Sequence, residues 1–276
     1  MGDVKTWVGA DGNWNTAASW SPSGVPAATD DVYFVSGSNN VTTGPSSAVN
    51  LNSLNFGTKW TGTAVKLTTN ATTVDYANKV GTVILEGTYT TVNVQATASD
   101  NPALKFDEST ITTLRITGGS GTVLIDENST VSGSISIIGA TSVRVEIEAS
   151  ATVSAADVTL DSGKLISYEE LDTITQHGGM VTMSNSAGTT NTITMYKGIM
   201  KYQPTSSTTL TTLVAYGGYF DLRGCNAPSH TITNASVYSG AMIDERNGLS
   251  NTTWTNPITS YQGVFMPDLG RNIAVS

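Results

Sequence analysis

The fold of this chain is decided by a short phrase that reads Ile193-Thr194-Met195-Tyr196-Lys197-Gly198-Ile199-Met200. It has two apolar residues two positions apart, then two spacers, a glycine and an apolar pair. Apolar residues two apart point to the same face of a strand. A glycine adopts the positive φ that a sharp bend requires, without steric cost. The phrase therefore predicts a strand, a tight corner and a second strand.

The same phrase recurs at residues 158–166, 174–181, 213–220 and 235–242, at intervals of roughly 16 to 22 residues. Such a period is typical of a solenoid, in which each coil turns the same corners and stacks about 4.8 Å above the last. A β-sandwich also has short, regularly spaced strands, but it needs no glycine at the same corner of every repeat. The sequence therefore predicts an all-β fold, a parallel β-helix or β-solenoid. The predicted turn glycines are Gly121, Gly163, Gly179, Gly198, Gly218 and Gly240.

The N-terminal segment differs from the repeats because it holds three of the five tryptophans, Trp7, Trp14 and Trp20. A solenoid exposes the apolar end of its core, and a terminal unit must cover that end. These residues therefore predict an N-terminal cap, and the alternative is a sugar-binding platform of tryptophan rings.

The C-terminal segment again concentrates large apolar residues, which predicts either a second cap or a surface that contacts a partner. The predicted organisation is a cap or entry segment at 1–48, coils at 49–245 and a C-terminal cap or contact segment at 246–276. The C-terminal candidates are Trp254, Tyr261, Phe265 and Met266.

Composition limits the partners that the chain can have. Only 13% of the residues are charged and the net charge is −9, which argues against nucleic acid because phosphate binding needs clustered Lys and Arg. We see no signal-peptide pattern and no stretch of 18 apolar residues, so neither export nor a membrane partner is expected. Cys225 is the single cysteine and is predicted to be a buried free thiol.

The sequence contains no set of residues that predicts catalysis, a cofactor or a metal, so we expect no enzyme. His177 and His230 lack a partner at zinc-ligand spacing. Glycoside cleavage needs two carboxylates across one bond, but adjacent strand residues point to opposite faces. We therefore interpret the four carboxylate pairs as turn formers. They are Asp107-Glu108, Asp126-Glu127, Glu169-Glu170 and Asp244-Glu245.

Tyr196, Tyr216 and Tyr238 occupy the same place in three successive phrases and are expected to form a ladder. An exposed ladder would bind sugars or a neighbouring chain, whereas a packed one would stabilise coil against coil. We favour the packed form from the sequence.

The N-terminal part of the sequence resembles a known group of repeat proteins. The Trp-rich opening, followed by Pro26 and Asp30-Asp31-Val32, resembles the entry to β-solenoid repeats of the autotransporter-associated type. Residues 49–57 look like the first repeat strand of that group. Bacteriophage head decoration, cement and fibre proteins of this shape look similar and are typically trimers.

The resemblance, together with the expected lack of an export signal, implies a non-enzymatic virion protein on the capsid surface. Its expected partners are the major capsid protein and itself, as a homotrimer. One alternative is an exported adhesin or autotransporter passenger fragment on the surface of a bacterium. The other is a tailspike that binds or cleaves polysaccharide, which would need carboxylates from adjacent coils facing one groove.

Overall fold

The computed structural model describes residues 2–78, 81–95, 103–139, 142–153, 156–184, 188–225, 229–246 and 252–267. It confirms an all-β parallel β-solenoid, with a single short 3-10 turn at Ala17–Ser19 among these residues. Within the same ranges, no helix is both long and apolar enough to cross a membrane. The contacts divide the chain into two compact units, Met1–Ser134 with Gly139–Glu146, and Ile135–Ile138 with Ile147–Ser276.

The described residues form twenty-five strands. The first twelve are β1 (Val4–Trp7), β2 (Trp20–Ser21), β3 (Asp31–Gly37), β4 (Val49–Trp60), β5 (Ala64–Tyr76), β6 (Val83–Glu86), β7 (Thr88–Val94), β8 (Leu104–Phe106), β9 (Thr110–Ile116), β10 (Ser120–Ile125), β11 (Thr130–Ile137) and β12 (Ser142–Ile147). The others are β13 (Asp157–Leu160), β14 (Lys164–Ser167), β15 (Thr173–Gln176), β16 (Met180–Met183), β17 (Gly188–Met195), β18 (Ile199–Tyr202), β19 (Thr208–Ala215), β20 (Gly218–Asp221), β21 (His230–Tyr238), β22 (Ala241–Asp244), β23 (Thr252–Trp254), β24 (Thr259–Tyr261) and β25 (Val264–Met266).

The first unit contains two parallel sheets. One runs through β3, β4, β5, β7 and β9, and the other runs through the start of β5, β6, β8 and β10. Alternate residues of each strand point inward, so Leu54, Val74, Val92 and Leu114 form one fully buried column across four coils.

The tryptophan-rich segment covers the end of this core, as the cap prediction requires. Trp7, Trp14 and Trp20 are 3%, 0% and 2% exposed and pack edge-to-face against one another, with Trp20 between the other two. All three contact the ring of Phe34, the first large residue of the solenoid core. The Trp20 indole N–H donates to the Trp14 carbonyl oxygen at 2.7 Å. Because these rings are buried, they offer no platform for a sugar.

The second unit also contains two parallel sheets. The first links β13, β15, β17, β19 and β21, and β21 then pairs with both β23 and β24. The second links β14, β16, β18, β20, β22 and β25. Within β19 the buried–exposed alternation slips at Thr211 and Thr212, where neither side chain is buried. This slip marks a further bend of the coil inside one continuous strand.

A tight corner joins the two sheets of the second unit, and a glycine column forms it. Gly163, Gly179, Gly198, Gly218 and Gly240 have φ between +67° and +94°, and Gly121 in the first unit has φ +102°. Only glycine adopts this conformation without steric cost. The corner residues that precede these glycines are brought together at one edge of the unit.

Candidate functional site

The corner edge of the second unit carries a continuous column of stacked rings. The successive centroid distances are 5.0 Å from His177 to Tyr196, 5.1 Å to Tyr216, 4.6 Å to Tyr238 and 4.6 Å to Tyr261. The planes of neighbouring rings differ by at most 29°. The ladder that the sequence predicts over three tyrosines therefore extends over five coils.

The ring column is both packed and exposed, two properties that were expected as alternatives. The rings pack on one another, yet Tyr196, Tyr216 and Tyr261 remain 45%, 43% and 52% exposed. Because Tyr196, Tyr216 and Tyr238 each have a ring on both faces, the inner part of the column presents ring edges and hydroxyls to solvent. Partial burial between its neighbours raises the pKa of Tyr238, and the adjoining hydroxyls of Tyr216 and Tyr261 add to this effect.

A second column lies beside the rings, on the far side of the glycine corner. Its members point outward from the second sheet and are paired in register from coil to coil. Ile199 and Val264 are 37% and 46% exposed, and the others are half-buried. The column consists of Met180, Ile199, Tyr219, Met242 and Val264. We call the two columns together the aromatic edge.

Two repeated Asp-x-Arg motifs border the aromatic edge. Arg223 makes a two-pronged ion pair with Asp221, at 2.9 and 3.0 Å, and Arg246 makes the same pair with Asp244. The two aspartates are direct neighbours in β20 and β22. The Tyr219 hydroxyl donates to Asp244 Oδ2 at 2.6 Å, and the Arg223 guanidinium lies 5.4 Å from the centre of the Tyr219 ring.

The aspartates and arginines of these two motifs neutralise one another. Hydrogen bonding to Arg246 holds the pKa of Asp244 well below its usual range, and hydrogen bonding to Asp221 raises the pKa of Arg223. Burial, with the hydrogen bond to Asp244, raises the pKa of Tyr219 to about 12. Sequence reading missed these pairs, although the return of Asp-x-Arg in successive repeats was a visible signal.

Asp221 and Asp244 also bear on the tailspike alternative, because they are carboxylates from adjacent coils. A glycosidase needs one carboxyl that stays protonated near neutral pH, which requires a raised pKa. Asp244 has the opposite shift, and both carboxylates are bound to arginine. This pair is therefore unsuited to acid catalysis.

Two of the other carboxylate pairs lie in turns and ion pairs, whereas Glu169 accepts a hydrogen bond from the Ser150 backbone N–H at 2.6 Å. Asp107 and Glu108 both approach Lys66, at 3.6 and 3.8 Å, and Glu108 has a positive φ of 51°. Asp126 pairs with Lys105 at 2.5 Å. In the part of the chain that the structure describes, no three His, Cys, Asp or Glu side chains converge to hold a metal ion.

The predicted C-terminal candidates divide between two environments. Tyr261 belongs to the aromatic edge, whereas Trp254 and Phe265 meet edge-to-face at 5.6 Å and are half-buried, as is Met266. Residues 247–251 and 268–276 of this predicted segment lie outside the described residues.

The interior also holds a pair that the sequence analysis did not connect. Cys225 is buried, as predicted, and its sulfur lies 3.3 Å from Nδ1 of the buried His230. The two residues are five positions apart, but neither approaches the surface.

No family model matches the chain, and neither the curated proteins nor the solved structures contain a significant match. The resemblance to autotransporter-associated repeats gains no support from these comparisons.

Proposed function

We propose that this chain is a non-enzymatic structural protein that works by protein–protein contact, as a trimeric decoration or cement protein on a bacteriophage capsid. The observation that supports contact is the aromatic edge. It places exposed and half-buried Tyr, Ile, Met and Val side chains in two adjoining columns on five successive coils. Contiguous exposed apolar surface on a soluble protein marks an interaction site.

The composition of the edge fits a protein partner better than a polysaccharide. Tyr, Met and Arg are enriched at protein interfaces, with an apolar centre and a polar rim. Here the centre is apolar and the rim carries the Arg223 and Arg246 ion pairs. A sugar ring would need an open aromatic face, whereas Tyr216 has Tyr196 on one face and Tyr238 on the other.

The solenoid supplies the rigidity that a contact protein needs. The edge residues lie on corners and strands that are hydrogen-bonded in register to the coils above and below. The side chains are therefore held in place before binding, which lowers the entropy lost in forming an interface.

The capsid surface as the location rests on the resemblance described in the sequence analysis, and the capsid partner would be the major capsid protein. An exported bacterial adhesin uses the same kind of surface and remains the alternative. Neither nucleic acid nor a membrane is a proposed partner.

Co-sedimentation with virus heads that lack this protein tests the proposal. We expect the purified chain to saturate the heads at a fixed stoichiometry of three copies or a multiple of three per site. Binding that does not saturate, or that is absent while the chain binds bacterial cells, would replace the capsid proposal with the adhesin. Heads from an unrelated phage serve as the control.

A further inference from the structure

The aromatic edge fits one occupant better than others, which is a second copy of this chain. We propose that the edges of three copies meet around a common axis that runs along the direction in which the coils of the second unit stack. This inference rests on the proposed function in taking the chain to work by protein contact. It assigns the edge to self-association and leaves other surfaces for the capsid.

The first argument is the period of the edge. Its side chains repeat once per coil, at ring separations of 4.6 to 5.1 Å. A copy rotated about an axis along the stacking direction of the coils presents the same residue at the same height. The ring column of one copy then meets the next copy at the same height on every coil, so one favourable contact is repeated along the edge. A foreign partner would have to reproduce this spacing.

The second argument is the shape of the edge. The ring column projects on one side of the glycine corner and the Met180-to-Val264 column lies on the other. Between them lie the corner glycines such as Gly198 and Gly218, which contribute no side chain, and the exposed Lys197. The ring column of one copy can therefore lie along the apolar column of the next, which is a heterologous contact of the kind that closes a ring.

The third argument is charge. The chain has a net charge of −9, so two copies repel over most approaches. From Met180 to Val264 the apolar column carries no charged residue, and the flanking Asp221 and Asp244 are neutralised by their own arginines. Lys197, which is exposed at the corner beside Tyr196, is positive, so the edge carries little of the negative charge that makes two copies repel elsewhere.

The area of the edge sets how strongly the copies are expected to associate. Four steps of about 4.8 Å give a strip about 19 Å long, and three residues across the corner give a width of about 10 Å. That area is below the roughly 800 Å² per partner of a stable complex. A corner at a three-fold axis also brings the flanking sheet faces of neighbouring copies together, so we expect reversible, concentration-dependent association.

The test is the mass of the purified chain by sedimentation equilibrium across a wide range of concentrations. We expect wild type to pass from monomer to trimer, and Ile199→Lys to weaken association by at least about tenfold, because it removes an apolar contact and adds three like charges beside those of Lys197 at one height. Val35→Lys is the matched control, since Val35 is 48% exposed on β3 in the first unit. The control should associate like wild type, and circular dichroism should show both variants folded.

A cross-linking experiment tests the axis itself. Tyr216→Cys should form disulfide-linked dimers under mild oxidation, because equivalent residues lie at one height near the axis. Tyr168→Cys is the control, because Tyr168 is 38% exposed and lies outside the edge. The native Cys225 is buried and should not react.

The outcomes separate this inference from the proposed function. Wild type that stays monomeric while saturating heads, or Ile199→Lys that still trimerises but no longer binds heads, would overturn the self-association and leave the capsid proposal standing. In the second case the capsid protein occupies the edge. A trimer that Ile199→Lys dissociates, but that ignores heads, would support the inference and refute the capsid proposal.

Discussion

A side chain on Gly198 would place its Cβ only 2.5 Å from the carbonyl oxygen of Gly179, one coil away. The same relationship links Gly179 to Gly163 at 2.5 Å and Gly218 to Gly198 at 2.6 Å. The corner column thus needs glycine for two independent reasons, a positive φ and a backbone contact with no room for a Cβ. Gly240 differs, because the nearest atom to its Cβ position, the carbonyl oxygen of Tyr216, is 3.9 Å away.

This difference predicts that alanine is tolerated unequally along the column. Gly240→Ala should cost about 1–2 kcal/mol, the strain of a left-handed residue with a side chain. Gly198→Ala should cost more, about 3 kcal/mol or above, because the backbone of two coils must also separate. Denaturant unfolding of the two variants measures the difference. Equal losses at both positions would show that the coils relax apart and that the close contact is unimportant.

The ring column should stabilise the coils as well as form a surface. Tyr216 and Tyr238 stack at 4.6 Å, and a double-mutant cycle with threonine at both positions should give a coupling free energy of about 0.5–1.5 kcal/mol. Threonine preserves strand propensity, so the cycle isolates the ring contact.

The matched control for this cycle is Tyr196 with Tyr238, because the ring of Tyr216 lies between them. Their coupling should be close to zero in the presence of Tyr216. Thermal or denaturant unfolding should be measured below the concentration at which the chain self-associates. No coupling between Tyr216 and Tyr238 would mean that the rings are adjacent without stabilising one another.

The repeat phrase and the aromatic cap could be predicted from the sequence because each is a local pattern. The spacing in residues 193–200 sets the strand, corner and strand, and Trp7, Trp14 and Trp20 stand outside the repeat period. Both predictions need only the alternation of a strand and the exposed end of a solenoid core.

The aromatic edge could be predicted only in part, because it depends on the register between coils of unequal length. Gly163 and Gly179 are 16 residues apart, whereas Gly218 and Gly240 are 22 apart. His177 stands in the same place of the phrase as the three tyrosines and could have been aligned with them, whereas Tyr261 lies outside the phrases and joins the column only once the pairing is known. The exposure of the edge side chains could not be predicted either, because an outward-facing corner and an inward-facing strand can hold the same apolar residue types.

Acid should lower the free energy of unfolding of the protein by protonating Asp244. Its folded-state pKa lies well below the ordinary value of 3.8, because of Arg246 and Tyr219, so the native state binds fewer protons than the unfolded state. The stabilisation is complete above about pH 4 and is lost as the pH falls below that value. Wild type should therefore lose stability from pH 4 downwards more steeply than Asp244→Asn. Unfolding midpoints measured over this range provide the check.

Arg246→Gln is the control for this pH dependence. It removes the largest cause of the lowered pKa of Asp244 while keeping the carboxylate, so the folded-state pKa moves toward the unfolded value and the variant should lose less stability than wild type as the pH falls below about 4. Parallel stability curves for wild type and Asp244→Asn would show that other carboxylates set the acid response.

The N-terminal cap should contribute strongly to the stability of the first unit. Trp14 is fully buried and its ring lies 4.6 Å from that of Trp20 and 6.4 Å from that of Phe34. Trp14→Ala should cost about 3–5 kcal/mol, because it opens a large cavity at the end of the core. Val4→Ala is the control in the same segment, since Val4 is 54% exposed, and its cost should stay within about 0.5 kcal/mol. Hydrogen exchange should then show lost protection in β3 and β4 before the strands of the second unit, because the exposed core end lies beside them. Uniform loss of protection across both units would instead mean that the chain unfolds as one cooperative body and that the cap stabilises all of it.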